Sequence, residues 1–312
     1  MISRRSAAPG PDNITCRACG SSATLRIGTI PDSRLFAGTT LAEPLSGGDL
    51  IRCTHCRLRF RHPVFTPADY EALYDNARQD VWEASATRTD WRLLTSFLEK
   101  RFAGPFTVLD VGCYSGDLLA WLGNRADKYG VEVNQAAAAV ARTRNGIKTF
   151  RSLAEIPGPV EFDAVILCDV IEHFPDPGAL VLGLLGRLRA GGVIVVTTGD
   201  AENWLWALFR ANWWYCAMPE HISFVSIGWL TRFVAERPDR LSLLQVERFC
   251  YLRLSPVQYA GALLKTVAFG VMPRLFNSVD QASRRALGRP EVRHPAGSGL
   301  TKDHFFFALE KS

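Results

Sequence analysis

The sequence predicts an α/β fold, a mainly parallel sheet covered by helices on both faces, preceded by a small unit built on cysteines. From residue 106 onward, apolar strand-like runs alternate with helix-like segments. The stretch VLDVGCYSGDLLAWL (108 to 122) places a glycine loop between such a strand and such a helix. Ahead of it stand two Cys-x-x-Cys pairs. With 312 residues, 47% hydrophobic and 21% charged, the chain can bury a full-sized core and a small accessory domain. The net charge of +5 permits an anionic partner without requiring one, its excess lying near Arg52, Arg57, Arg59 and Arg61 and near Arg232, Arg248, Arg253, Arg284 and Arg285.

The first unit, residues 1–62, contains CRAC (Cys16, Cys19) and CTHC (Cys53, Cys56). Each pair can set two thiolates on one tight turn, and two such knuckles supply the four-sulfur tetrahedron that zinc prefers. With all four positions taken by sulfur the expected Zn2+ is structural; two disulfides or unpaired core thiols are the alternatives. Arg57, Arg59 and Arg61 alternate along RLRFRH and would share one face of an extended strand, where a solvated surface is expected, with docking of an acidic ligand as the alternative. No apolar segment follows Arg4 and Arg5, so no secretory signal is expected and the cytoplasm is the default compartment.

Residues 63–105 form a helical connector with Tyr70, Tyr74 and Trp82. In the main domain, 106–312, the strands FTVLDVG, KYGVEV, IKTF, FDAVILC and VIVVTT are separated by DLLAWLGNR, QAAAAVARTR and GALVLGLLGRLRA, the last a helix stopped by Gly191 and Gly192. LSLLQVERF (241 to 249) and HFFFALEKS (304 to 312) supply two closing strands. The stretch 255–276 reads as an amphipathic helix covering a core, with weak membrane-surface contact as the alternative, because Lys265 and Pro273 interrupt any membrane span.

The glycine loop discriminates among ligands. A dinucleotide fingerprint fails because Tyr114 and Asp117 stand where its second and third glycines belong, and no Gly-Lys-Ser/Thr follows to make a P-loop. What fits is Asp110-x-Gly112-x-x-x-Gly116, followed about 22 residues on by Glu132 at the end of the next strand. Glycines admit close backbone approach, and the acid can accept from both hydroxyls of a ribose, with no grip for a pyrophosphate.

This pattern resembles class I S-adenosylmethionine-dependent methyltransferases, and the resemblance runs on through FDAVILCDVIEHFPDP and LRAGGVIVVTTGD. It implies a Rossmann-like, seven-stranded, mostly parallel sheet whose last strand is antiparallel and inserts between the fifth and sixth. It implies S-adenosylmethionine as cofactor, with Asp110, Gly112 and Gly116 at its methionine part, Glu132 at its ribose and Cys168 alongside. It lays the 63–105 connector over the cofactor as a lid, with Tyr70, Tyr74 and Trp82 there, and insertions at 199–225 and 250–303 then rise on the cofactor side as substrate walls.

Asp169, Glu172 and His173 have i, i+3, i+4 spacing, so one helical turn would set them on one side. The block resembles the segment of ubiquinone-pathway O-methyltransferases implicated in divalent-cation binding; a loop-building role is expected first, cation binding second. His173 and His221 are the candidate bases, since imidazole titrates near neutrality. His221 follows an aromatic-rich segment (Trp204, Trp206, Trp213, Trp214, Tyr215) in the first insertion, and PEHISFVS resembles methylases of quinols, sugars and other small metabolites. A zinc ribbon ahead of such a domain resembles bacterial sugar C-methyltransferases. The expected activity is methyl transfer to a hydroxyl or activated carbon of a small molecule. The alternatives are an RNA methyltransferase, disfavoured because CDVIEH replaces the Asn/Asp-Pro-Pro-aromatic motif of base-amine methylases, and a non-catalytic scaffold. Oligomeric state is not readable.

Overall fold

The computed structural model describes residues 14–75, 88–251, 254–286 and 300–312. The N-terminal unit contains β1 (Thr24–Thr29), β2 (Ser33–Phe36), β3 (Thr39–Leu45), β4 (Asp49–Cys53) and β5 (Arg59–His62), followed by helices α1 (Pro67–Asp75) and α2 (Thr89–Arg101). Then come β6 (Phe106–Val111), α3 (Asp117–Trp121), β7 (Ala126–Val131), α4 (Gln135–Asn145), β8 (Lys148–Phe150), β9 (Phe162–Cys168), α5 (Pro177–Leu184) and β10 (Leu188–Gly199). The chain continues through α6 (Trp204–Phe209), α7 (Trp214–Ala217), β11 (Ser223–Phe224), α8 (Ile227–Ala235), β12 (Leu241–Phe249), α9 (Pro256–Val271), α10 (Pro273–Ala286) and β13 (His304–Lys311). Trp82 lies outside the described residues.

The main sheet has seven strands in the order β12-β13-β10-β9-β6-β7-β8, with β13 antiparallel between β10 and β12. Period-2 alternation divides each central strand between two cores: Leu109, Val165, Ile194 and Phe307 pack on one face, and Val108, Ala164, Val195 and Phe306 on the other. Strands buried on both sides are therefore continuous apolar runs. The order reverses at β6, which pairs with both β7 and β9, and this switch point opens a crevice at the strands' C-terminal ends.

Three local expectations are corrected. The helix expected to run to Gly191 and Gly192 ends at Leu184, because Leu188 already pairs with Phe162 and the glycines fall in a register shift inside β10. The arginines of RLRFRH do not share one solvated face: Arg57 is exposed but precedes β5, while Arg59 and Arg61 on the strand are covered. Arg57 pairs with Glu202 at 3.0 Å, Arg59 lies over Trp206 at 5.3 Å, and Arg61 is 1% exposed. Arg59 and Arg61 meet protein because β11 pairs with β5 and brings the first insertion against this strand. The stretch 255–276 is helical, yet it covers little core: Phe269 and Thr266 are buried, while Val257, Leu264 and Val271 are exposed. Among the described residues no helix is long and apolar enough to cross a membrane.

Candidate functional site

The loop after β6 and the end of β7 build one end of a cavity of about 340 Å³ at the switch point. Gly112 and Gly116 hold φ angles of 76° and 77°, where an L side chain is strained. A Cβ on Gly112 would come within 2.8 Å of Val170, and one on Gly116 within 2.1 Å of Ile147, so both positions require glycine. Glu132 accepts from Tyr114 N at 2.9 Å and Asn134 N at 2.7 Å, which fixes its carboxylate at the cavity edge. Asp110 is 2% exposed, and its Oδ1 has no hydrogen-bond partner. Burial pushes both carboxyls above their usual range, with Glu132 reinforcing the shift at Asp110.

Cys168 also lines this space, its thiol donating to Asp90 Oδ2 at 3.2 Å. Beside it Asp169 accepts from Tyr251 OH at 2.7 Å and from Arg88 Nη2 at 3.3 Å, leaving Oδ1 unpartnered. Burial, with Glu172 and Asp90 nearby, raises the Asp169 carboxyl to about 6. Arg88 was not anticipated from sequence. A lone arginine in ATRTDW carries no periodic signal, yet it also ion-pairs with buried Asp90 and brings the guanidinium to a cavity otherwise lined by the carboxylates of Asp110, Asp117, Glu132, Asp169 and Glu220.

The far end combines segments distant in sequence. Tyr74 from α1, His173 from the turn after β9, Glu220 from the first insertion and Ala37 from the β2–β3 turn all line it. The Tyr74 hydroxyl lies 3.0 Å from His173 Nδ1, and His173 Nε2 lies 3.1 Å from the Asp169 carbonyl. Burial lowers the His173 pKa, against the pull of Glu220 and Asp169, which favours the neutral ring. Nδ1 also lies 3.0 Å from the Glu220 carbonyl, so a neutral ring protonated at Nε2 donates to the Asp169 carbonyl and accepts the tyrosine proton at Nδ1, whereas one protonated at Nδ1 donates to the Glu220 carbonyl.

Asp169, Glu172 and His173 do not share one side: Asp169 groups with Asp90 and Cys168, while Glu172 lies with His173 and His221, each set having ligand atoms within 4.8 Å of one another. Asp169 and His173 line the cavity, but Glu172 is fully buried and turns away, accepting from Tyr215 OH at 2.6 Å and Thr198 Oγ1 at 2.9 Å. The chain makes a short 3-10 turn at Ile171–His173, which splays side chains that an α-turn would align. His221 sits behind His173 with ring centroids 5.1 Å apart, and its Nδ1 bonds the Tyr215 carbonyl at 3.1 Å. It does not line the cavity, whereas its neighbour Glu220 does. The aromatic segment is mainly core: Trp206, Trp213 and Tyr215 are buried, while Trp204 is exposed.

In the N-terminal unit the four cysteine sulfurs lie within 4.8 Å of one another. Cys16 to Cys56 and Cys19 to Cys53 are each 3.6 Å, too long for disulfides. A tetrahedron with zinc–sulfur bonds of about 2.3 Å has edges of about 3.8 Å, so the donor set fits that ion.

Residues 83–237 match a family described as a methyltransferase domain. The ubiquinone biosynthesis O-methyltransferase of Pseudomonas paraeruginosa is 30% identical over 120 residues, covering 34% of this chain and 51% of that protein. Its counterpart from Idiomarina loihiensis is 30% identical over 151 residues, covering 44% and 56%. The chain thus spans about half the length of these curated relatives. Among solved structures, the N-methyltransferase NodS of Bradyrhizobium japonicum WM9 with S-adenosylhomocysteine aligns at TM-score 0.46 and 11% identity, over 78% of this chain and 97% of that one. The plantazolicin methyltransferase BpumL aligns at 0.45 and 15% identity, over 78% and 90%. The unit from β6 to β13 has a Rossmann-like α/β methyltransferase fold built on the seven-stranded, mostly parallel sheet, and the family match covers its first part, to residue 237.

Proposed function

We propose that the protein transfers a methyl group from S-adenosylmethionine to a hydroxyl or activated carbon of a small-molecule acceptor. The observation that carries this is a single cavity with the Asp110-Gly112-Gly116-Glu132 cradle at one end and His173, Tyr74 and Glu220 at the other. The residues suit the cofactor. The orphaned Asp110 Oδ1 is a buried acceptor awaiting a donor, Glu132 keeps lone pairs for ribose hydroxyls, and the acid-rich lining favours a cationic sulfonium and ammonium. Arg88 is the group suited to the cofactor's carboxylate. When bound, S-adenosylmethionine supplies an electrophilic methyl group.

The protein's own contribution is alignment and proton removal. His173, held neutral, takes the acceptor's proton at Nδ1 by way of the Tyr74 hydroxyl, and Glu220 orients the donor group. His221 packs behind His173 and fixes its ring. Glu172 ties β10 to α7 through Thr198 and Tyr215, so its two oxygens support a structural role over cation binding. In the N-terminal unit Zn2+ on Cys16, Cys19, Cys53 and Cys56 serves as a fold-holding ion. A calorimetric titration with S-adenosylhomocysteine, run beside Glu132→Ala, tests the reading. Binding weakened by the substitution supports it and opens an acceptor screen of nucleotide sugars and phenols; no binding by the folded wild type leaves the scaffold alternative standing.

A further inference from the structure

The β2–β3 hairpin belongs to the cysteine-built unit, yet its tip reaches the cavity of the methyltransferase domain. Ala37 is 3% exposed and lines that cavity. Its N–H donates to Glu220 Oε1 at 3.1 Å. Next to it Phe36 packs edge-on against Tyr74, ring centroids 5.0 Å apart, and Tyr74 reaches His173. A second tether comes from β5. Arg61 donates from Nε to the His221 carbonyl at 3.1 Å and from Nη2 to the Met218 carbonyl at 2.9 Å, and it also bonds the Gly47 and Cys216 carbonyls. The segment bearing Glu220 is thus held by the N-terminal unit on both sides.

Two details at the tip point to a ligand. Glu220 is 5% exposed and lines the cavity, and its Oε2 is buried with no hydrogen-bond partner. An orphaned buried acceptor is costly until a donor arrives. The turn itself has φ values of 41° at Ala37 and 75° at Gly38, the left-handed pair of a two-residue hairpin turn in which glycine is the least strained choice. Alanine there costs on the order of 1 kcal/mol against glycine and places a methyl group at the cavity wall.

We propose that the hairpin tip selects the acceptor. The Ala37 methyl limits its size, and the Ala37 N–H holds one oxygen of Glu220 so that the other receives a hydroxyl or ammonium donor. Ala37 is a positioning residue acting through Glu220, and this assignment rests on the methyl-transfer reading above.

The test uses Ala37→Gly and Ala37→Asn, both tolerant of left-handed backbone and both keeping the N–H. Transfer of labelled methyl from S-adenosylmethionine is measured on a size-graded panel running from catechol to nucleotide sugars. Ala37→Asn is expected to raise KM at least tenfold for the largest accepted member while the S-adenosylhomocysteine Kd stays within twofold, and Ala37→Gly to admit the next larger one. In parallel, Glu220→Ala is expected to speed hydrogen exchange at the Ala37 amide at least tenfold while residues 110–116 are unaffected. An identical size cut-off in all three proteins, or unchanged exchange at Ala37, overturns the proposal. Failure of the underlying reading is seen separately, as absent S-adenosylhomocysteine binding by the wild type. If the wild type binds it but methylates nothing in the panel, the exchange result alone decides.

Discussion

The two ends of the cavity are built in opposite ways. The cradle end takes Asp110, Gly112, Gly116 and Glu132 from two consecutive strands and the loop between them. The other end joins Ala37 to Glu220 across 183 positions of sequence and adds Tyr74 and His173 from two further elements. A site made by one strand–loop–strand unit is fixed by local backbone geometry. A site assembled from four segments depends on everything that docks them, here the cysteine-built unit above all. Perturbing that unit should therefore disturb the acceptor end and spare the cradle.

The largest effect is expected from Cys53→Ser. Cys53 is fully buried among the sulfurs, and with the proposed Zn2+ on the four of them the loss of one ligand should release the ion and cost stability on the order of 5 kcal/mol. Metal analysis and thermal melts read the loss, while S-adenosylhomocysteine binding by the fraction that stays folded should change less than about threefold. A variant that keeps its metal would remove the ribbon from the picture. Next comes Arg61→Met, which keeps the buried stem but strips four carbonyls of their donor. A loss of roughly 3 kcal/mol is expected in denaturant unfolding, with acceptor KM rising more than cofactor Kd. Glu132→Ala reverses the comparison. It frees the amides of Tyr114 and Asn134 and removes the proposed acceptor for ribose hydroxyls, so S-adenosylhomocysteine should bind roughly 10 to 100 times more weakly. Global stability should move little; an equal fall in both would mean that Glu132 only holds the loop.

The same contrast explains what could be read from the chain. Strand–helix alternation and the spacing that brings Asp110, Gly112, Gly116 and Glu132 to one cavity were legible because each is written in contiguous sequence, whereas the insertion of β13 between β10 and β12 came from the family resemblance and not from periodicity. Arg61 was misread because alternation assigns it to a face but cannot say what covers that face, and β11 arrives from more than 160 positions away. The helix end was misplaced because glycine signals termination and bulge alike, and pairing of Leu188 with Phe162 decided between them. Glu220 and His221 are neighbours whose side chains part company, one into the cavity and one behind His173. A motif of two polar residues shows that something polar is needed there without saying which member faces the ligand.

The smallest effect is the most discriminating, since it separates the two polar groups of the acceptor end. As the proposed base His173 must be neutral, and burial places its pKa below the usual 6.5. The falling acid limb of kcat/KM should therefore lie below pH 6.5, activity being lost as pH drops through the depressed value and retained above it. Glu220 is among the groups that pull this pKa upward, by its charge and by its carbonyl at 3.0 Å from Nδ1. Glu220→Gln removes the charge and keeps the carbonyl, so the limb should move to still lower pH while the maximal rate falls only a few fold. If Glu220 were itself the base, the same substitution would abolish turnover and take the limb with it. A pH–rate profile of this one variant thus decides whether the carboxylate held by the hairpin orients the acceptor or deprotonates it.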